Sequence, residues 1–528
     1  MKKGKGSLSA NETALDKSLK LIVKTSFIVL VGLILSKVLG YTYRIIIARY
    51  FGPEEYGIFS LANVILGFFI ALFGLGLSEG IIRFTALYRG EGKKDKIKYL
   101  FRWSSKLLAI SGIIGAIVLF LTSNYLSINL FHNAGLIYYL RVFSILTLIS
   151  LLVQPFLSLL RGYEKIAVYS FYFNIFQNVI KVISLILMVW IGFKSKSIAL
   201  SNLIAISFML VGLYLASRVN IGEVFTKFNL TPESKKEIRA QVSGYSLPLM
   251  FFSILSLIFY WVDTFSLGYL KSAVEVGVYN AAVPIAMLLF VIPEIFMQLF
   301  FPLISKEYGR NNRQLITQLS KQVTKWISIA SFPIFILLFL FPGAALNLLF
   351  GSQFLGAEMA LRILLLSAIL TTTFTVSQQL LSMAGKSKTI LISMIIATII
   401  NLLLNQILIP IKTLWFIDNA TGINGAAAAT LISNLIFLTL IFIQSYKYTL
   451  ILPFRKKIIN VFFSSILALI PLWVLRNLMQ INLYSIALMC MTFVLVYVLL
   501  LFLTKSLDIH DIEILKKIKS KITSNRFN

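Results

Sequence analysis

Cysteine is nearly missing from the 528 residues: Cys490 stands alone, so no internal disulfide forms and the thiol says nothing about redox compartment. Histidine is almost as scarce, with only His132 and His510, and without paired cysteines or a His-x-x-x-His spacing there is no metal-ligand set. A glycine-rich phosphate loop is lacking too. Gly74-Leu75-Gly76 lies in an apolar run and no Gly-Lys-Ser/Thr follows at the required spacing, so the chain carries no nucleotide cradle of its own. Charge is thin and one-sided: 13% of residues are charged, with 49 Lys and Arg against 20 Asp and Glu and a net +29, whereas soluble domains carry about 25%.

What is abundant is apolar sequence. At 58% hydrophobic residues and a mean hydropathy of +0.88, a soluble globular protein is excluded. Fourteen apolar runs, beginning with 27–47 and 57–80 and ending with 482–504, each reach the roughly 20 residues that a helix needs to cross a bilayer. They are too long for barrel strands and lack the apolar/polar alternation of such strands. The expected fold is therefore an all-α polytopic membrane protein of about fourteen transmembrane helices.

The basic residues sort by side. Thirty-eight of the 49 fall in alternate connections, on the side of the N-terminal arm, the Arg89–Lys106 loop, the Arg218–Arg239 loop and the tail from Lys505; six fall on the other side and five within spans. Lys and Arg accumulate in cytoplasmic loops, which predicts two cytoplasmic termini in the cell membrane and attraction to anionic membrane lipids; the first apolar run is longer than a signal-peptide core and lacks a small-residue cleavage site, so a retained first helix is expected. Nucleic acid is not implied. A slide of 220 residues places Tyr56-Gly57-Ile58-Phe59 on Val276-Gly277-Val278-Tyr279, and a slide of 223 pairs Asn178 with Asn401. The expected organisation is a basic arm (1–26), a six-helix bundle (27–217), a linker (218–243), a second six-helix bundle in the same orientation (244–446), two further helices (447–504) and a basic tail (505–528).

Charges inside spans are costly and usually face a bundle interior or a water-filled cavity. Lys37, Arg44, Arg141, Lys181 and Arg362 are the basic ones, with Arg83 and Glu79 four apart and able to pair at the end of the second run. Ser170, Asn174, Asn178, Lys181 and Ser184 follow helical spacing and make one polar line on an apolar helix. The deepest acidic residues are Asp263 and Glu294. Plainer roles compete: Arg83 and Arg141 can snorkel from helix ends, Asn401 and Asn405 can hold helices together, and Glu294 follows a proline whose kink frees backbone groups.

The stretch Ala48-Arg49-Tyr50-Phe51-Gly52-Pro53-Glu54-Glu55-Tyr56-Gly57-Ile58-Phe59-Ser60-Leu61-Ala62 resembles the signature after the first helix of polysaccharide-transport (Wzx-like) flippases, in the superfamily that also holds multidrug exporters and lipid II flippases. Asp263 with Val276–Ala282, Pro302-Leu303-Ile304-Ser305 and Gly425–Thr430 extend the similarity over nearly the whole chain. The resemblance implies an alternating-access flippase, not an enzyme, for an oligosaccharide on an isoprenoid phosphate or pyrophosphate, with glycan-assembly enzymes as further partners. Arg and Lys suit phosphate oxygens and asparagines suit sugar hydroxyls. The expected headgroup contacts are then Lys37, Arg44 and Lys181, followed by Arg83, Arg141, Arg362, Asn174 and Asn178. No cofactor is expected; Asp263 and Glu294 are candidates for a coupling proton or sodium ion, or for counter-ions. The rival readings are a cation-coupled multidrug or metabolite exporter of the same superfamily, which would favour an acidic cavity, and a membrane glycosyltransferase or ligase, which would need a large external loop.

Overall fold

The computed structural model describes residues 5–414, 417–455, 457–471, 483–504 and 506. The tail from residue 507, with His510, and Lys2, Lys3 and Arg476 lie outside them. The described chain is helical apart from a two-residue hairpin, Thr413–Leu414 against Ile417–Asp418. Eleven helices among the described residues are long and apolar enough to cross a membrane. The first, Ile34–Phe73, holds most of each of the first two apolar runs, and two shorter apolar helices, Lys457–Pro471 and Met491–Leu503, fall on the last two. The protein is a multi-pass, all-α membrane protein.

Helix α1, Lys5–Phe73, is broken at Gly52, where φ is 83° and ψ −178°. That conformation suits only glycine. Pro53 enforces the break, because the residue before a proline is pushed out of the α region while the proline itself starts a helix well. A second break follows at Gly74-Leu75-Gly76, with φ of 53° at Leu75 and 64° at Gly76. Helix α2, Leu77–Gly90, is therefore separate, and Arg83 and Glu79 do not sit on a continuous membrane helix as the apolar run suggested. Nor do they pair: Glu79 meets Arg161 at 3.5 Å, and Arg83 lies 4.3 Å from the Tyr245 ring centroid.

The chain gathers into two compact units. Unit 1 comprises the chain up to Pro284 with Leu346–Ala360 and Met394–Ser433; unit 2 comprises Ile285–Ala345, Leu361–Ser393 and the chain from Asn434. In unit 2, Phe300, Ile304, Ile327, Val376 and Leu380 form a buried cluster. Val461, Phe493 and Tyr497 form another, and the Tyr497 hydroxyl donates to the Ile329 carbonyl at 2.8 Å, which ties the last described helix to Arg313–Leu340.

Unit 1 contains the repeat's signature. A Cβ on Gly57 would collide with the Ala273 carbonyl, and a Cβ on Gly277 with the Pro53 carbonyl. The 220-residue slide carries Pro53 onto Ala273 and Gly57 onto Gly277, so the contact is reciprocal, as at a two-fold interface. Tyr56 beside it is fully buried, with its ring 5.8 Å from Phe350 and 6.1 Å from Phe354. Arg49 donates from Nε to the Leu349 carbonyl at 3.0 Å and from Nη2 to the Asn347 and Leu348 carbonyls at 3.1 and 2.5 Å. These are the final carbonyls of helix Pro342–Leu349, where a cation is favoured by both the unpaired acceptors and the helix dipole.

Candidate functional site

Two buried polar nodes occur in unit 1. The first is basic and centres on the segment of α1 before Gly52. Tyr43 is buried, and its hydroxyl joins the Ile198 carbonyl and Ser201 Oγ at 2.9 Å and accepts from Asn202 Nδ2 at 2.7 Å. Its ring faces the Lys181 ammonium, 4.7 Å from the centroid, a cation–π contact that holds the charge without neutralising it. On the next residue, Arg44 Nη1 donates to the Tyr56 hydroxyl at 3.4 Å, and that hydroxyl donates to the Asn280 carbonyl at 3.2 Å. Arg44 and Lys181 are near enough for their like charges to interact. Among the described residues no carboxylate lies within salt-bridge distance of either. Beside Arg44 is a cavity of about 220 Å³ to which Ser60, Asn63 and Asn280 contribute.

The polar line of the fifth apolar run supports this node. It spans Ile166–Ser170, a π-helical turn at Phe171–Phe176 and the helix Gln177–Trp190; such turns often mark functional positions. Asn174 is buried and donates to Ser170 Oγ at 3.0 Å. Asn178 donates to Ser36 Oγ at 3.2 Å, and Ser184 to the Lys181 carbonyl at 3.2 Å.

The second node is acidic. Asp263 is buried in helix Pro232–Leu270. Its Oδ2 accepts from the Tyr279 hydroxyl at 2.6 Å and from Thr430 Oγ1, and its Oδ1 accepts from Asn405 Nδ2 at 2.8 Å. Asn405 also donates to Asn401 Oδ1 at 3.0 Å. No described cation pairs with Asp263, and Asn405 Oδ1 is a buried oxygen without a hydrogen-bond partner among the described residues. A carboxylate held by two hydroxyls and an amide is thus the one acidic side chain in a cluster of otherwise neutral polar groups. The slides align the nodes: Tyr43 falls on Asp263 and Asn178 on Asn401. On the repeat expected from the sequence, a cationic cluster in the first copy would stand opposite an anionic one in the second.

The remaining sequence candidates have surroundings of their own. Lys37 is exposed. Arg83 stacks on Tyr245; Arg141 donates to Asn124 Oδ1 at 3.3 Å and lies over the Phe120 ring. Arg362 donates to the Phe339 carbonyl at 3.2 Å within unit 2. Glu294, also in unit 2, is exposed. Sequence reasoning overlooked the hydroxyls that fix the charges: Tyr43, Tyr56, Tyr279 and Thr430. The alignment of Tyr43 with Asp263 was the available signal.

Membrane-spanning helices with charges held inside by hydroxyls and amides are the arrangement of a membrane transporter. The chain belongs to the polysaccharide biosynthesis protein family, whose family model matches residues 46–359. It is 23% identical over 501 residues to the lipid II flippase MurJ of Bacillus subtilis, covering 86% of this chain and 89% of that one. It is also 23% identical over 354 residues to a putative O-antigen transporter of Shigella flexneri, covering 65% of this chain and 80% of that one. A solved lipid II flippase MurJ in an inward closed conformation shares the fold, with a TM-score of 0.69 at 16% identity over 89% of this chain and 97% of that one.

Proposed function

We propose that the protein is an alternating-access flippase. It moves an oligosaccharide linked to an isoprenyl phosphate or pyrophosphate from the cytoplasmic to the outer leaflet of the cell membrane, for glycan assembly. Both termini face the cytoplasm on this reading, as the Lys and Arg distribution requires. The observation that carries the proposal is the pair Arg44 and Lys181: two cations inside membrane helices, held by aromatic and hydroxyl groups and matched by no carboxylate among the described residues. Retaining such charges is costly unless an anionic ligand completes them, and phosphate oxygens accept the charge-assisted hydrogen bonds that Arg and Lys donate. Asn63 beside Arg44 suits a neighbouring hydroxyl. The same pair disfavours an organic cation. Asp263, buried and donor-surrounded, is the coupling position for a proton or sodium ion, in preference to the exposed Glu294. The substrate's neutralisation of the basic node and the ion's neutralisation of the acidic node would then bias the same conformational equilibrium.

Arg44→Ala and Lys181→Ala test this. Each should lower export of lipid-linked sugar by tenfold or more, as loss of a charged hydrogen bond of about 1.5–3 kcal/mol implies, with membrane insertion and elution profile unchanged. Wild-type export in both variants would sink the headgroup assignment.

A further inference from the structure

The cavity beside Arg44 does not stand alone. A second one, of about 400 Å³, adjoins it, and Val64, Leu257 and Trp261 line both. The second is wholly apolar. It is bounded by the second segment of α1, the π-helical turn Tyr125–Leu130, helix Pro232–Leu270 and Leu402, all within unit 1. Phe68, Phe265 and Leu402 are exposed at its rim, so it opens to the apolar surface of the unit. Polar atoms with a guanidinium thus occupy one chamber, aliphatic and aromatic side chains the next, with three shared wall residues between them.

A polar, cationic chamber joined to an apolar one matches an anionic amphiphile, head in the first and chain in the second. We propose that the apolar chamber receives the phosphate-proximal end of the substrate's isoprenyl chain while the phosphate meets Arg44. This rests on the flippase reading above and adds to it the path by which the chain leaves the head site. A cavity of about 150 Å³ accepts a benzene; by that measure about 400 Å³ holds about sixteen carbons, or about three isoprene units. The aromatic walls offer broad apolar faces to a branched, unsaturated chain. At Gly67 a Cβ would come within 3.0 Å of Leu257 Cδ1, so the helices on either side of the shared wall already touch, and the substrate's narrow phosphate–carbon link is what must pass there.

The test uses purified full-length protein in phosphatidylcholine nanodiscs, titrated with a short isoprenyl phosphate and, separately, with inorganic pyrophosphate. Leu126→Trp and Ile258→Trp fill the apolar chamber. Each should weaken isoprenyl phosphate binding about tenfold or more, as displacing roughly two methylenes from an apolar site implies, and leave pyrophosphate binding unchanged; Arg44→Ala should weaken both. In the wild-type protein, an isoprenyl phosphate carrying a diazirine in its first units should label peptides containing 126–131 or 257–265. This arm decides the matter if the tryptophan variants fail to fold. Labelling elsewhere, with wild-type affinity in the tryptophan variants but loss in Arg44→Ala, overturns the chamber and leaves the flippase reading intact. Wild-type affinity in Arg44→Ala overturns the headgroup reading instead. Equal competition by phosphatidylglycerol would show an ordinary phospholipid in the chamber and overturn the isoprenyl assignment.

Discussion

Replacing Asp263 separates a structural from a functional role for the acidic node. In Asp263→Asn, the new amide oxygen can take the Oδ2 position and accept from both Tyr279 and Thr430, which now share that atom. The new NH2 would face Asn405 Nδ2, but Asn405 can rotate its amide so that its orphaned Oδ1 accepts instead. Three of the four interactions are then replaced, and the bond lost is the one from Asn405 to Asn401 Oδ1. The expected destabilisation is about 1 kcal/mol. In Asp263→Ala, two hydroxyls and one amide lose their acceptor together; at about 1 kcal/mol each, the lower end of the penalty for a stranded buried donor, the cost is about 3 kcal/mol. Stability to heat in detergent, read by intrinsic fluorescence in sodium chloride, in choline chloride at equal ionic strength, and in acid and neutral buffers, gives the functional half. A ligand at one hundred times its dissociation constant adds about 2.7 kcal/mol, so the wild-type midpoint should rise with sodium or respond to pH. Asp263→Asn should fold and show neither response. A variant that responds as the wild type does, or a wild type indifferent to both ions, would refute the coupling role.

Other perturbations test the frame around the nodes. Gly277→Ala drives a methyl group into the Pro53 carbonyl, where backbone rather than a flexible side chain must yield; overpacking of about 1–3 kcal/mol should appear as a lower unfolding midpoint, with Gly57→Ala matching it because the contact is reciprocal. Arg49→Ala leaves three helix-end carbonyls to water. It should cost about 0.5–1 kcal/mol, and Arg49→Lys should recover only part of that, since one ammonium lacks the guanidinium fork.

The sequence exposed the helices well because bilayer crossing requires length and apolarity, which hydropathy measures directly. Runs such as 136–159 and 389–411 lie within Gly135–Gly162 and, apart from its last residues, Ser387–Leu408. Breaks were harder to see. Gly74-Leu75-Gly76 is apolar enough to vanish into a run, and only its left-handed backbone separates α2. Spacing predicted a Glu79–Arg83 pair, but Arg161 and Tyr245 compete for those two side chains from 82 and 162 residues away, which no local rule anticipates. The same holds at the nodes: Arg44, Lys181 and Asp263 are legible as charges in spans, whereas Asp263's partners come from 16, 142 and 167 residues along the chain. Distance along the chain hides partners that the fold assembles.

The pairing of Arg44 with Lys181 also has an electrical consequence. On the flippase reading proposed above, a doubly negative headgroup between them would leave the loaded basic node without net charge, so a membrane potential would do no work on it. The empty site carries two positive charges, each subject to about 2.3 kcal/mol per 100 mV across the full field. An inside-negative voltage would therefore pull on the unloaded carrier alone, drawing the vacated site back toward the cytoplasm, and the rate of turnover would follow the voltage even though the cargo's crossing does not.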